Sequence, residues 1–101
     1  MVCFDDAGYT GFLVWTQIPR RTRTKCRVVL NQIFVRKEFR GRGLGTALVR
    51  EWVKRFVPNR VEKFGVESPN ASTRAILIRL GHAYRKDDKV ICSNCYPVPS
   101  I

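Results

Sequence analysis

The residues with the most specific chemistry lie in one short run, Arg40-Gly41-Arg42-Gly43-Leu44-Gly45-Thr46. Three glycines alternate there, behind an apolar stretch and in front of an amphipathic one. Without a Cβ the chain reaches positive φ, and a ligand can approach the backbone amides closely. The first turn of the helix that follows leaves N–H groups without intrahelical partners, and the helix dipole adds positive potential. Such a terminus receives an anion, and a pyrophosphate suits it well. Arg40 and Arg42 add cationic charge in the same loop. Two other phosphate-binding patterns are excluded by spacing. The dinucleotide fingerprint needs Gly-x-Gly-x-x-Gly and the Walker A loop ends in Gly-Lys-Ser/Thr; this run has neither.

A second cluster is Cys92-Ser93-Asn94-Cys95, half of a zinc spacing. A structural zinc takes four ligands, so Cys3, Cys26 or His82 would have to complete the set across the fold. The expectation is reduced thiols in a cytoplasmic protein, with no metal, because the start Met1-Val2-Cys3-Phe4-Asp5-Asp6 has no positive leader before an apolar stretch. No apolar run approaches the ~20 residues of a membrane-spanning helix, so no membrane partner is expected.

These groups must be held by one modest core. The 101 residues support a single domain over positions 1–101, and a 45% apolar share marks a globular chain. Nineteen Lys and Arg against eight Asp and Glu leave a formal charge of +11. Five of the cations fall in residues 20–27 and four more in residues 36–42. Concentrated positive charge draws anionic partners, whether nucleic acid, an acidic protein face or a phosphorylated small molecule.

Hydropathy and turn chemistry divide the chain further. Residues 1–4 and 9–18 read as a hairpin across Asp5-Asp6-Ala7-Gly8, ended by Pro19. Residues 26–35 are apolar almost throughout, as in a central strand covered on both faces. Asn31-Gln32 interrupts that run and predicts either a cleft-facing pair or a bulge. Leu48, Val49, Trp52, Val53, Phe56 and Val57 recur at helical steps and predict an amphipathic helix up to Pro58-Asn59. Residues 61–67 predict a fourth strand. Asn70 then caps a helix over residues 71–80, and Gly81 stops it. Residues 82–85 and 89–92 predict a closing hairpin across Lys86-Asp87-Asp88. The fold class is α/β, with a mixed α+β sheet in the order β-β-β-α-β-α-β-β. Its central strand–helix–strand unit requires a right-handed crossover and parallel pairing.

The run Val35-Arg36-Lys37-Glu38-Phe39-Arg40-Gly41-Arg42-Gly43-Leu44-Gly45-Thr46-Ala47-Leu48 resembles the acetyl-CoA signature of the GNAT superfamily of N-acetyltransferases. The family pattern Arg/Gln-x-x-Gly-x-Gly/Ala is matched by Arg40, Gly43 and Gly45. A second match follows: Ser68-Pro69-Asn70, a helix, then Leu80-Gly81, with His82 where the family usually has Phe. The resemblance covers roughly residues 26–92 and implies a GNAT-like acyl-CoA N-acyltransferase fold that lacks the usual first strand and two helices. It implies acetyl-CoA as co-substrate, with pantetheine along Ile33, Phe34 and Val35. The pyrophosphate would rest on the amides of Arg40, Gly41, Arg42, Gly43, Leu44, Gly45 and Thr46. Asn70 would contact the pantetheine or the acetyl end, and Arg74 and Arg79 could reach the 3′-phosphate side.

The implied reaction is direct attack of an amine on the thioester carbonyl, which needs a base for the ammonium and is helped by an acid for the thiolate. Glu67, at the end of the fourth strand, is the best-placed base. Many family members carry a Tyr acid midway along the second helix. By spacing from Asn70 and Gly81 that position is Leu77 here, and Tyr84 on the closing hairpin is the substitute. A thiol pKa near 8.5 makes the leaving group tolerable without an acid. The short N-terminal part implies an open acceptor side. That favours a Lys on another protein with an acidic surface, near the basic residues 20–27, or completion of the pocket by a second subunit in a homodimer. Two other readings compete: a GNAT-fold module that binds acyl-CoA without catalysis, and a small basic nucleic-acid-binding protein. The second of these does not account for the glycine loop.

Overall fold

The structure is a computed structural model and describes residues 2–5, 8–17, 28–57, 64–93 and 95–98. Strands β1 (Val2–Asp5) and β2 (Gly8–Gln17) form an antiparallel hairpin, and β3 (Val28–Val35) pairs antiparallel with β2. A single 3₁₀ turn (Lys37–Phe39) leads to helix α1 (Leu44–Phe56). Strand β4 (Phe64–Glu67) lies parallel to β3, as the crossover rule requires. Helix α2 (Ala71–Arg79) follows, then the hairpin β5 (Ala83–Lys86) and β6 (Lys89–Cys92).

One element differs from the order expected of the sequence. A further strand, β7 (Cys95–Val98), pairs parallel with β4, so the main sheet runs β1-β2-β3-β4-β7. Pro97 lacks the N–H that a central strand must donate, which demotes Cys95-Tyr96-Pro97-Val98 as a strand when read alone. The structure places it at the end of the described sheet order, where one side of the ladder needs no partner. The hairpin β5–β6 stands apart as its own two-stranded sheet. Its turn puts Asp87 and Asp88 at φ 49 and 62. Two consecutive left-handed residues are the twist-matched solution for a two-residue hairpin loop.

The connection from β6 to β7 is only two residues long and brings Cys92 and Cys95 to a Cα–Cα separation of 5.2 Å, where they form a disulfide. That corrects the expectation of reduced thiols at these two positions, and the paired sulfurs are not a half-site for zinc. The reason is local: the chain must turn at once from β6 into β7, and the turn brings both side chains within bridging range. Among the described residues no group of three or more His, Cys, Asp or Glu is placed to hold a metal ion. No helix among them is long and apolar enough to cross a membrane.

The core forms between the sheet and the helices. Leu48, Val49 and Trp52 of α1 are buried against Leu13, Leu30, Phe64 and Val66 of the sheet, with Leu77 of α2 completing the cluster. Trp52 meets Phe64 edge-on at 5.3 Å between ring centroids. Consecutive Val28, Val29 and Leu30 are all buried, so the first half of β3 is covered on both faces. The rest of the strand is only partly buried or exposed. The functional groups gather around that second half.

Both ends of α2 are tied as its sequence predicts. Asn70 accepts a hydrogen bond from the Thr73 amide at 2.9 Å. At the other end the His82 amide donates to the Leu77 carbonyl and the Gly81 amide to the Ile78 carbonyl. This is the paired C-terminal closure that needs a left-handed residue, supplied by Gly81 at φ 83. The basic residues 20–27, Cys26 among them, and Pro58-Asn59 lie outside the described residues.

Candidate active site

Parallel pairing of β3 with β4 is brief, Val29 with Gly65 and Leu30 with Val66. Strand β3 then continues to Val35 while β4 stops at Glu67 and Ser68 turns into φ 38. Among the described residues, Ile33, Phe34 and Val35 therefore keep β2 on one side and have no strand on the other. The fork is sharpened by a bulge. Val14 pairs with Gln32 and Trp15 with Leu30, leaving Asn31 as the extra residue. Of the two expectations for the Asn31-Gln32 interruption, the bulge is present, and both residues also line the fork.

A cleft of about 600 Å³ opens beside this free edge. Its walls are Ile33, Phe34 and Val35, then Phe39, Arg40, Gly41, Gly43, Leu44, Gly45 and Thr46, and on α2 Asn70, Ser72, Thr73, Ala75, Ile76 and Arg79. All but two of the residues assigned to the cofactor from sequence thus meet in one cavity. The exceptions are Arg42, which is exposed and carries its guanidinium over the Phe39 ring, 5.7 Å from the centroid, and Arg74, which is exposed on α2 and lines neither this cleft nor the smaller groove in the fork.

Local chemistry explains the loop. Gly43 stands at the start of α1 at φ 77, and Gly41 at φ 78, both left-handed. A Cβ built at Gly43 meets nothing within 4 Å, so the glycine is required by backbone conformation and faces open space. No side chain caps α1 at this end. Its first-turn amides are left to whatever enters the cleft. Gly45 answers a different need: a Cβ there would stand 3.1 Å from Ile76 Cδ1, where α1 and α2 close together. Arg40 ties the loop to the strand through Nε, which donates to the Val35 carbonyl at 2.9 Å. Arg79 crosses from α2, its Nη1 donating to the buried Thr46 hydroxyl at 3.0 Å.

A smaller groove of about 140 Å³ fills the fork itself, lined by Leu30, Asn31, Gln32, Ile33, Val66, Glu67, Ser68, Pro69, Asn70 and Thr73. Ile33, Asn70 and Thr73 belong to both cavities and join them. Glu67 is the one charged residue of the groove's described lining, and its Oε2 accepts a hydrogen bond from Asn31 Nδ2. Asn31 Oδ1 in turn accepts from the Thr16 hydroxyl at 2.6 Å.

Tyr84 lies elsewhere. It sits on the β5–β6 hairpin opposite Ile91, is 47% exposed, and lines neither cavity. Leu77 is fully buried in the core, and the cleft takes the opposite stripe of α2. That stripe, Ser72, Ala75, Ile76 and Arg79, was not assigned from sequence apart from Arg79. Its three- and four-residue spacing was the available signal. His82 is half-buried, with Nδ1 without a hydrogen-bond partner among the described residues and the ring edge-on to Phe64 at 5.2 Å. Burial lowers its pKa and favours the neutral imidazole.

A family model described as Acetyltransferase (GNAT) family matches residues 1–82. The chain belongs to this family, whose general activity is acyl transfer from an acyl-CoA. Comparison with curated proteins and with solved structures finds no match.

Proposed function

Taking that membership as the premise, we propose that the chain is an N-acetyltransferase moving the acetyl group of acetyl-CoA to an amine on a protein or another large acceptor. One observation carries the reading. The free edge of β3, the uncapped start of α1 and one face of α2 converge on a single cleft, whose size is that of a typical small-ligand site. In this reading the amides of residues 40–46 hold the pyrophosphate, with Arg40 and Arg79 supplying charge. The edge of Ile33, Phe34 and Val35 pairs with the pantetheine arm, which leads past Asn70 to the fork.

Acetyl-CoA brings an activated thioester to that fork. Glu67, directly or through a water, takes a proton from the incoming ammonium, so that the neutral nitrogen can attack the carbonyl carbon. Amide donors along the β3 edge stabilise the negative charge that develops on the carbonyl oxygen. The carbon–sulfur bond then breaks, the electron pair leaves with sulfur, and the second proton shed by the nitrogen passes to solvent, from which the thiolate can take one up. No side-chain acid is assigned to that step, since Tyr84 is outside the cavity linings and Leu77 is in the core. A thiolate departs without one.

The same two placements favour a second reading, in which the fold binds acyl-CoA and does not turn it over. Mass spectrometry of acidic proteins and polyamines incubated with the chain and acetyl-CoA separates the readings. Acetylated lysines on proteins support the enzyme. Acetylation of polyamines alone refutes the large-acceptor part, and cofactor binding with no acetylated product of any kind refutes catalysis.

A further inference from the structure

We infer that the Cys92–Cys95 bridge is a reversible redox site, opened by a dithiol, and that β7 carries its state to the Ser68–Asn70 turn beside the cleft. The bridge lies outside residues 1–82 matched by the family model, and its chemistry does not depend on acyl transfer.

The two cysteines are unequally placed. Cys95 is 2% exposed, whereas Cys92 is only partly buried at the end of β6. A dithiol therefore attacks at Cys92. A sulfur–sulfur bond forms to Cys92 while the Cys92–Cys95 bond breaks, its electron pair leaving on Cys95. The second thiolate of the reductant then displaces Cys92 and closes the reductant's own disulfide. Two electrons pass from the dithiol to the bridge, and its two protons end on the two cysteine thiols.

Both states have a place in the fold. Cys95 Sγ stands 3.6 Å from the His82 carbonyl oxygen, a contact that becomes an S–H···O hydrogen bond once Cys95 is a thiol. The Ser93 amide donates to the same carbonyl at 2.9 Å, with the bridge open or closed. Only two residues separate the cysteines, so loop closure adds less to this bridge than to one spanning a long loop.

The change reaches the cleft through β7. Cys95 begins that strand opposite Phe64, and the ladder runs to Val98 opposite Glu67. One step on, the Ser68 amide donates to the Val98 carbonyl at 3.1 Å. Ser68 is left-handed at φ 38, a conformation that a residue with a side chain keeps only when its surroundings hold it there. Ser68, Pro69 and Asn70 line the fork, and Asn70 also lines the larger cleft and caps α2. Strand β7 has four residues and ends the described sheet order, the kind of element that opens before the rest of a fold. The closed bridge pins its first residue to β6, where Val90 and Cys92 pack against the core. Opening the bridge removes that pin, and the turn at Ser68 loosens with the strand.

The test uses the intact chain, first oxidised with glutathione disulfide and then treated with dithiothreitol. Thiols are trapped with acid, alkylated in denaturant and located by peptide mass, and amide hydrogen exchange is followed in parallel. Cys92 and Cys95 should be protected from alkylation in the oxidised chain, modified after dithiothreitol acts on the folded chain, and protected again after reoxidation. Reduction should speed exchange of the Ser68 amide ~10-fold while amides of the β2–β3 ladder change less than about 2-fold. Cys92→Ser should exchange at Ser68 like the reduced chain and give no response to dithiothreitol. Cysteines that stay modifiable after oxidation, or a bridge that opens only in denaturant, would overturn the redox site. An unchanged Ser68 rate, or ladder amides that accelerate equally, would overturn the relay through β7.

Discussion

Replacing Gly43 tests the phosphate cradle directly. At φ 77 the position is left-handed and the space around a new Cβ is open, so a side chain enters the cleft without striking a neighbour. Gly43→Val combines two effects, since a β-branched residue in this region also costs roughly 1–2 kcal/mol of backbone strain. For a domain of this size that is about 5–15 °C in melting temperature before any ligand is added. Gly43→Asn separates the effects, because Asn tolerates the left-handed region while still projecting into the cleft. Acetyl-CoA at ~100 times its dissociation constant should stabilise the natural chain by about 2.7 kcal/mol, or roughly 10–20 °C. If Asn weakens binding ~100-fold, the same ligand concentration leaves only about 0.4 kcal/mol, roughly 2–3 °C. Thermal denaturation with and without cofactor, on both variants, reads each quantity. Gly43→Asn that melts near the natural chain and keeps the full ligand shift would refute the placement of the diphosphate on this loop.

Three further outcomes follow from other positions. Gly11→Ala would set a Cβ 2.7 Å from the Phe34 carbonyl oxygen, a backbone atom that cannot step aside alone, and should cost about 1–3 kcal/mol by chemical denaturation. The β2–β3 ladder would shift with it, so weaker acetyl-CoA binding is expected as well, and an unchanged denaturation midpoint would contradict the register. His82 has its pKa lowered by burial, so the unfolded chain binds its proton more readily than the folded one. Stability is therefore highest above the unfolded value of about 6.5 and falls as pH drops through that value toward the lower folded one. His82→Phe should flatten the melting-temperature profile between about pH 7.5 and 5.5, and an unaltered slope would mean that another group titrates there. Reducing the Cys92–Cys95 bridge opens a very short loop and should lower stability by at most about 2 kcal/mol, seen as a lower melting temperature with reductant and not in Cys92→Ser.

Much of the architecture was legible because its signals are local. Asn70 and Gly81 bracket α2 through hydrogen bonds to residues within five positions, so caps can be read from the chain alone. The glycine run announces itself because positive φ is a property of single residues, at Gly41 and Gly43. Parallel pairing of β3 and β4 follows from the helix between them, which carries the chain back to the end of the sheet where β3 began. Asn31-Gln32 marked an interruption because two polar residues inside a buried strand need a reason.

What the sequence left open depends on which distant segments meet. Strand β7 exists because the free side of β4 needs a partner, and Pro97 hides that pairing from any local reading. The bridge between Cys92 and Cys95 follows from the tight passage into the same strand. Tyr84 and Leu77 were both eligible for the cleft by type or spacing. Only the packing of α2 sends Leu77 into the core, and only the separate hairpin carries Tyr84 away. The Thr16–Asn31–Glu67 chain joins three strands across 51 positions of sequence (67 − 16), and no periodicity records it. Conformational preferences of single residues decide where elements begin and end, but a cavity is a relation among elements, and it comes into being only when their buried faces have chosen one another.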